Sequence, residues 1–572
     1  MNNLVNWQPW SRDTFSQARA ENKPVFLCIE RFWCGYSRLM DQIAWNDPEI
    51  AEALNNNYIP IRLDGGAYPA IVRRFFMGDY PSLVFLTPEA LPITASRFVP
   101  PDVLLNALTS VAESHHKKSK ELTARLIETE NAREALQAAR FDPNRRPSPW
   151  MTGRILEFLL AAADQDNGGF GEVPKAPAFD AIQLLLLVYS RTGESRYGNP
   201  AFNALLGMYE NGLYDWEDGG FFRLSDEPDW SSPRLEKLLE DQARHLTLYT
   251  YAFHLTQEME YAEAAAGTLE WLRRFCFDAA EGYFRASMAA DPVYYTSTSE
   301  DKEYQDPPET EPVFATSATS QLISSLIYYG YSLGDADAVG LANRLFSELH
   351  ARLIDTNTGL PYRQVSGDDT PVPGVLADCL EYALMLLEWW QYSGDQSSLD
   401  AVKRVSEAIV QEYSDPRQPG LMDSRDPLGL GKISSRDMFV QDNALAAVLF
   451  ARLGWLTQNE AWLDRSEKIL WGWTGVWEQL GLEMASYGLA LFERYREPVI
   501  VQIPSSVTDS IRSGILALVG PGVLVRWVKE GDLRVIAEDF QEKCASVSDV
   551  KQALKKVEKL SVPAVDNETP NA

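Results

Sequence analysis

Five times between residues 145 and 497 an apolar helical stretch ends at an aspartate, turns through glycine and restarts on a large apolar side chain. The corners are Asp166-Asn167-Gly168-Gly169-Phe170, Asp215-Trp216-Glu217-Asp218-Gly219-Gly220-Phe221, Asp278 with Glu281-Gly282-Tyr283-Phe284, Asp355 with Thr358-Gly359-Leu360, and Asp415 with Pro419-Gly420-Leu421. Apolar periodicity places helices at 150–163, 178–191, 199–211, 235–257, 260–276, 315–331, 335–352, 376–393, 398–413, 438–453, 460–473 and 482–494. A helix–turn–helix unit cannot bury its apolar side alone, so such units must stack on neighbours. Six hairpins wrapped into a ring leave no terminal pair exposed. Residues 145–497 are therefore expected to form an all-α (α/α)6 barrel, with the glycine-aromatic corners gathered at one rim. The loop 296–312, acidic and proline-containing, reads as a mobile flap or disordered insert on that rim.

The flanks read differently. Residues 1–118 alternate helix and strand, with strands at 24–30, 58–63 and 80–86, which specifies a small α/β sheet. Residues 119–144 are charged and rich in helix formers, hence a helical linker. Residues 498–572 hold strands at 498–503 and 523–527 with a helix between them, a small α/β appendage whose end after Ser561 is expected to fray. The chain is thus multidomain.

Composition narrows the partners. A net charge of -29 leaves no basic face for nucleic acid and disfavours an anionic membrane. No apolar run reaches the length of a membrane span, and the N-terminal residues lack a signal-peptide pattern. Five scattered cysteines fit a reducing compartment, so a cytoplasmic protein is expected. His115 and His116 lack further ligands nearby; neither a metal nor a cofactor is expected.

Chemistry concentrates in Gly212 to Ala243. There Asp215, Glu236 and Asp241 stand among Tyr214, Trp216, Phe222 and Trp230, with Arg223 and Lys237 nearby, and Asp378 opens a later helix. Paired carboxyl groups suit glycoside hydrolysis, one protonated and one ionised. The aromatics can stack on a sugar face, and Arg223 with Lys237 can hold an anionic group. The same residues read as well structurally: Asp215 as a turn cap, Glu236 and Lys237 as a helix-start ion pair, Arg223 as a partner for nearby acids. Epimerisation, which needs two bases, is the weaker option, because His245, His254 and His350 lie inside helices away from the corners.

Trp33-Cys34-Gly35-Tyr36-Ser37 resembles the thioredoxin active-site motif, with Cys34 at a helix N-terminus, where a thiolate is favoured, and Tyr80-Pro81 at the place of the facing cis-proline. Ser37 replaces the second cysteine, so only monothiol exchange with a protein thiol is open to Cys34. Cys28, on the preceding strand, reads as core. Gly168-Gly169-Phe170-Gly171-Glu172-Val173-Pro174-Lys175-Ala176-Pro177, the Gly212–Ala243 stretch, Pro81-Ser82-Leu83-Val84-Phe85-Leu86-Thr87-Pro88 and Pro373-Gly374-Val375-Leu376-Ala377-Asp378 resemble the spermatogenesis-associated thioredoxin-like family. That resemblance implies a thioredoxin-like domain followed by a six-hairpin glycosidase-like barrel and a small C-terminal appendage. The chain departs from the family's CHWCH-like stretch, reading Cys34-Gly35-Tyr36-Ser37-Arg38. It also carries Arg234 where a histidine usually stands. Two functions follow as expectations: a barrel that binds or processes a carbohydrate-like molecule, or a monothiol redox or interaction protein acting through Cys34.

Overall fold

The first three residues aside, a computed structural model describes the chain through 424 and from 437 to 560, with Asp368 excepted. The expected fraying after Ser561 lies outside the described residues. The chain divides into two units: Met1–Ala139 with Ser287–Thr296 and Asp423–Asp437, and the remainder.

In the first unit α1 (Arg12–Glu21) starts at Ser11, whose hydroxyl accepts the Thr14 amide. Then follow β1 (Val25–Glu30), α2 (Gly35–Ile43), α3 (Pro48–Asn57), β2 (Ile59–Asp64), α4 (Pro69–Phe75), β3 (Ser82–Leu86), β4 (Pro92–Ser96) and α5 (Pro101–Ala138). The sheet order is β2-β1-β3-β4, with β1 parallel to β2 and antiparallel to β3. Val25, Leu27 and Ile29 enter one apolar cluster and Phe26 and Cys28 the other, so β1 is buried on both faces. This is the expected thioredoxin-like domain, with Cys28 in its core.

The expected linker is not a separate piece. α5 continues through a kink at Lys118 (φ -138°, ψ 25°), and its second half belongs to the first unit. There Glu130, 7% exposed, accepts from both Arg74 and Arg133. Two of the charges that suggested a linker, Glu130 and Arg133, are ion-pair partners within the unit.

The second unit holds α6 (Pro149–Ala162), α7 (Phe179–Thr192), α8 (Ser195–Glu210), α9 (Leu239–Thr256) and α10 (Met259–Trp271). After α11 (Pro292–Thr296), which lies in the first unit, it resumes with α12 (Ser299–Lys302), α13 (Thr316–Leu333), α14 (Ala336–Arg352), α15 (Leu376–Ser393) and α16 (Gln396–Tyr413). α17 (Val440–Thr457), α18 (Glu460–Trp471) and α19 (Met484–Tyr495) complete the helical part. α7, α9, α13, α15, α17 and α19 each pack on the next, and α19 packs back on α7. The ring is closed. α8, α10, α14, α16 and α18 lie outside the helix that precedes each, and α6 covers α19.

One joint makes most of these hairpins. Gly193, Gly334 and Gly394 end α7, α13 and α15 in the left-handed region (φ 66°, 76° and 73°), which glycine reaches without steric cost. Asp335 and Asp395 then cap α14 and α16, accepting the Ala338 and Ser397 amides. The same device, built from left-handed Gln458 and Asn459, joins α17 to α18.

A four-stranded sheet closes the chain: Val499–Pro504 runs parallel to Val523–Val528 and antiparallel to Arg534–Ala537, which pairs with Phe540–Lys543. Its strand order matches that of the N-terminal sheet, first strand central and second strand at one edge. It is bolted to the ends of the inner helices. The Trp527 indole donates to the Gln391 carbonyl (2.9 Å), Arg526 to the Trp455 carbonyl (2.8 Å), and Ser190 to the Pro521 carbonyl (3.2 Å). One end of the ring is therefore floored by this sheet, and the helix starts and their corner loops lie at the other. The expected flap at 296–312 instead carries α12, tied down by Lys302 on Glu217 and Asp218.

Candidate functional site

The corners repeat in atoms as well as in sequence. Asp215 accepts the Glu217 and Asp218 amides (3.0 and 3.2 Å), and its second oxygen takes Lys237 at 2.7 Å. Lys237 is wholly buried and also donates to the Gly219 carbonyl (2.7 Å). In the first corner the equivalent residue is Asp164, not Asp166: it accepts the Asp166 and Asn167 amides and takes Lys175 at 2.6 Å. Asp278 accepts the Ala280 and Glu281 amides and takes Arg285 (2.8 Å), Asp415 takes both the amide and the guanidinium of Arg417 (2.6 Å to the latter), and Asp355 takes the Asn357 amide and the Thr358 hydroxyl in place of a cation among the described residues. Burial works to raise the Asp215 and Asp164 carboxyls, but the lysine and the amides outweigh it, and both are held below the ordinary range. These aspartates are turn locks.

The other expected site residues separate accordingly. Glu236 takes Arg223 (2.6 Å), and Asp378 takes Arg363 (3.1 Å) while accepting the Val375 amide that opens α15. Lys237 is sealed and Arg223 is paired, so the expected anion-binding pair is already neutralised by the chain's own carboxylates. Trp230 is also sealed: it is wholly buried, with its indole on the Asn167 carbonyl, and cannot stack on a ligand. Tyr214 and Phe222 are buried, whereas Trp216, packed on Tyr209 and Tyr214, remains 61% exposed.

Asp241 behaves differently. It stands in the first turn of α9 and makes no ion pair or hydrogen bond among the described residues. Burial, then the charge of Glu240, push it up to about 7 against the pull of Arg223 and Arg244. In the second turn of α15, Glu381 accepts from the Gln321 amide of α13 (2.7 Å) and is pushed by burial to about 7, against Gln321 and Arg244. Arg244 acts on both carboxyls and binds Asp180 of α7. Asp241, Arg244, Thr247 and Tyr251 recur at helical spacing on α9. These four residues, with Asp180, Gln321 and Glu381, keep partial exposure while most of their inner-helix neighbours are buried. Asp180 and Arg244 retain 32% and 34% of their side-chain surface. A polar group thus lines the inner face, within the first turns of α7, α13 and α15 and along α9 from its first turn to its fourth.

Of these residues the sequence reading named only Asp241. Asp180, Arg244, Gln321 and Glu381 left one signal: a polar residue interrupting an apolar helical stripe, as in Leu376-Ala377-Asp378-Cys379-Leu380-Glu381-Tyr382-Ala383-Leu384. The histidines lie in packing positions. His245, lowered to about 3 by burial and then by Arg244, stacks on Phe221 at 3.9 Å between ring centroids. His350 is held between the Phe346 carbonyl and the Tyr382 hydroxyl.

In the first unit Cys34 caps α2, 4% exposed, and its thiol donates to the Tyr80 carbonyl at 3.3 Å beside a cis Tyr80-Pro81 bond. None of the five cysteines is in a disulfide. No group of metal-ligating side chains occurs among the described residues, and no helix there is long and apolar enough to cross a membrane.

Comparison with known proteins bears on both units. Residues 1–136 match the family described as Thioredox_DsbH, protein of unknown function (DUF255). Spermatogenesis-associated protein 20 of Mus musculus is 26% identical over 383 residues, 62% of this chain and 48% of its own length. Its Homo sapiens counterpart is 27% identical over 391 residues, with the same coverage. The chain spans about half the length of the curated relatives it matches. Among solved structures, D-mannose isomerase aligns with a TM-score of 0.48 and 12% identity, covering 61% of this chain and 98% of that one. Cellobiose 2-epimerase from Bacillus thermoamylovorans aligns at 0.45 and 13%, covering 55% and 82%. The chain is therefore similar to the spermatogenesis-associated thioredoxin-like proteins, as its motifs indicated, with a Thioredox_DsbH domain at its N-terminus and a six-hairpin helical barrel behind it.

Proposed function

We propose that the barrel binds a neutral, carbohydrate-like small molecule among the first turns of its inner helices and cleaves a glycosidic bond there, with Glu381 and Asp241 as the working carboxyl groups. The observation that carries this reading is that Asp241 on α9 and Glu381 on α15, with no cation bonded to either among the described residues, are both pushed up to about 7 by burial and both feel the charge of one residue, Arg244, itself tied to Asp180. Glycoside cleavage asks for one carboxyl that holds a proton and one that is ionised. Glu381, whose bonded neighbour is the neutral Gln321 amide, suits the proton donor. Asp241, under the influence of Arg223 and Arg244, suits the carboxylate. Asp215, Glu236 and Asp378 are held by cations and are left out of the chemistry. Because the nearby cations are matched by acids, sugar acids and sugar phosphates are disfavoured as ligands.

A panel of neutral glycosides, free sugars, uronates and sugar phosphates, screened by thermal shift and by hydrolysis, tests this. Stabilisation and turnover should be confined to neutral compounds, with turnover abolished in Glu381→Gln. A panel without stabilisation or hydrolysis refutes the proposal.

A further inference from the structure

The segment Ser287–Thr296 comes from the middle of the sequence yet is part of the thioredoxin-like unit. Its Ala290 amide donates to the Trp33 carbonyl at 3.0 Å, one residue before Cys34. A Cβ placed on Gly35, one residue after Cys34, would lie 3.6 Å from the Ala290 methyl, ordinary contact distance. The segment is shaped to stay there. Asp291 accepts the Val293 and Tyr294 amides (3.0 and 3.1 Å) to start α11, and the Tyr295 hydroxyl reaches the Met288 sulfur at 3.3 Å. Met288, Ala289 and Tyr294 are buried. Beneath it Cys34 and Trp33 are 4% and 3% exposed.

A second feature of the same face is Ser37. It stands three residues beyond Cys34, on the same side of α2, and is 3% exposed, yet its hydroxyl has no hydrogen-bond partner among the described residues. A buried hydroxyl left unsatisfied beside a thiol is costly in a face that only packs, and is what a docking face leaves for an incoming polar group.

We propose that the face around Cys34 is a docking surface for an extended peptide and that residues 287–296 are its built-in occupant, holding the position a partner chain would take. The surface fits a chain that offers one backbone N–H to the Trp33 carbonyl and a small side chain opposite Gly35. Cys34 meets such a partner only when the strap lifts.

Alkylation of the reduced, native full-length chain by iodoacetamide, read at each cysteine by mass spectrometry, tests the proposal. Ala290→Pro removes the amide donor and should speed Cys34 labelling by about tenfold or more, the size expected for loss of one local closing contact, while Cys28 in the sheet core keeps its rate. Asp291→Ala, which loosens the turn that starts α11, should act in the same direction more weakly. It carries the test if the proline variant does not fold. A synthetic peptide of residues 287–296 added to either variant should restore protection. Cys34 labelling in the wild-type chain as fast as in the urea-unfolded chain overturns the proposal. So does Cys28 accelerating together with Cys34, or a variant whose Cys34 rate is unchanged. None of these outcomes depends on whether the barrel turns over a glycoside.

Discussion

The corner loops and the inner face of the same barrel use carboxyl groups in opposite ways. At the corners Asp164 and Asp215 each face a buried lysine and two backbone amides, and both are held below their ordinary range. On the inner face Asp241 and Glu381 have no cation bonded to them among the described residues and are pushed up to about 7. Residue type therefore says little about role. What separates the two groups of acids is whether the fold has already given them a cation.

The largest effect should come from the corners. Lys237→Met leaves Asp215 buried without its cation, which should cost about 3–5 kcal/mol in urea unfolding. Adding Asp215→Asn should recover part of that loss. A cost below about 1 kcal/mol, the value of a surface pair, would erase the distinction between the two regions. On the inner face Glu381→Gln and Asp241→Asn should each lower glycoside turnover by about 100-fold or more, as expected for loss of a general acid or base, with an unchanged circular dichroism spectrum. If Asp215→Asn lowers turnover as much at equal stability, the assignment of roles is wrong.

The pH dependence of stability separates the regions more finely. Raised carboxyls hold protons in the folded chain that the unfolded chain releases, so their contribution is full below about pH 4 and is lost as pH rises towards about 7. Depressed carboxyls act in the reverse sense: the corner contribution is present above about pH 4 and lost as pH falls below it. Thermal midpoints of Asp241→Asn/Glu381→Gln should therefore exceed those of the wild-type chain at pH 8, by about 1–2 kcal/mol equivalent, and converge with them near pH 4. The smallest effect is expected at the rim: Trp216→Ala should change stability by no more than about 0.5 kcal/mol, while weakening a sugar bound against that ring.

Much of the architecture was legible because it is written locally. Corner glycines and the apolar period placed most of the ring helices within about four residues of their observed bounds. What was not legible was pairing. Asp166 stands closer to the glycines than Asp164, so the sequence alone points to the wrong aspartate; only the fold shows which one meets Lys175. Glu236 and Asp378 have the type and neighbourhood of catalytic acids, and the fold pairs them with Arg223 and Arg363, thirteen and fifteen residues away in sequence. Glu381 was hidden by the reverse effect: it meets Gln321 and the field of Arg244 across sixty and more residues, which no local pattern records. The long-helix charges near Glu130 misled for the same reason, since the arginine that buries it, Arg74, is far off in the chain.

The two small sheets share a strand order, yet only the first has a cysteine at the turn into its first crossover helix; the second reads Pro504-Ser505-Ser506-Val507-Thr508 there. The chain thus carries its own blank. A peptide or reagent that meets both sheets alike is responding to backbone shape alone, and one that distinguishes them is responding to sulfur.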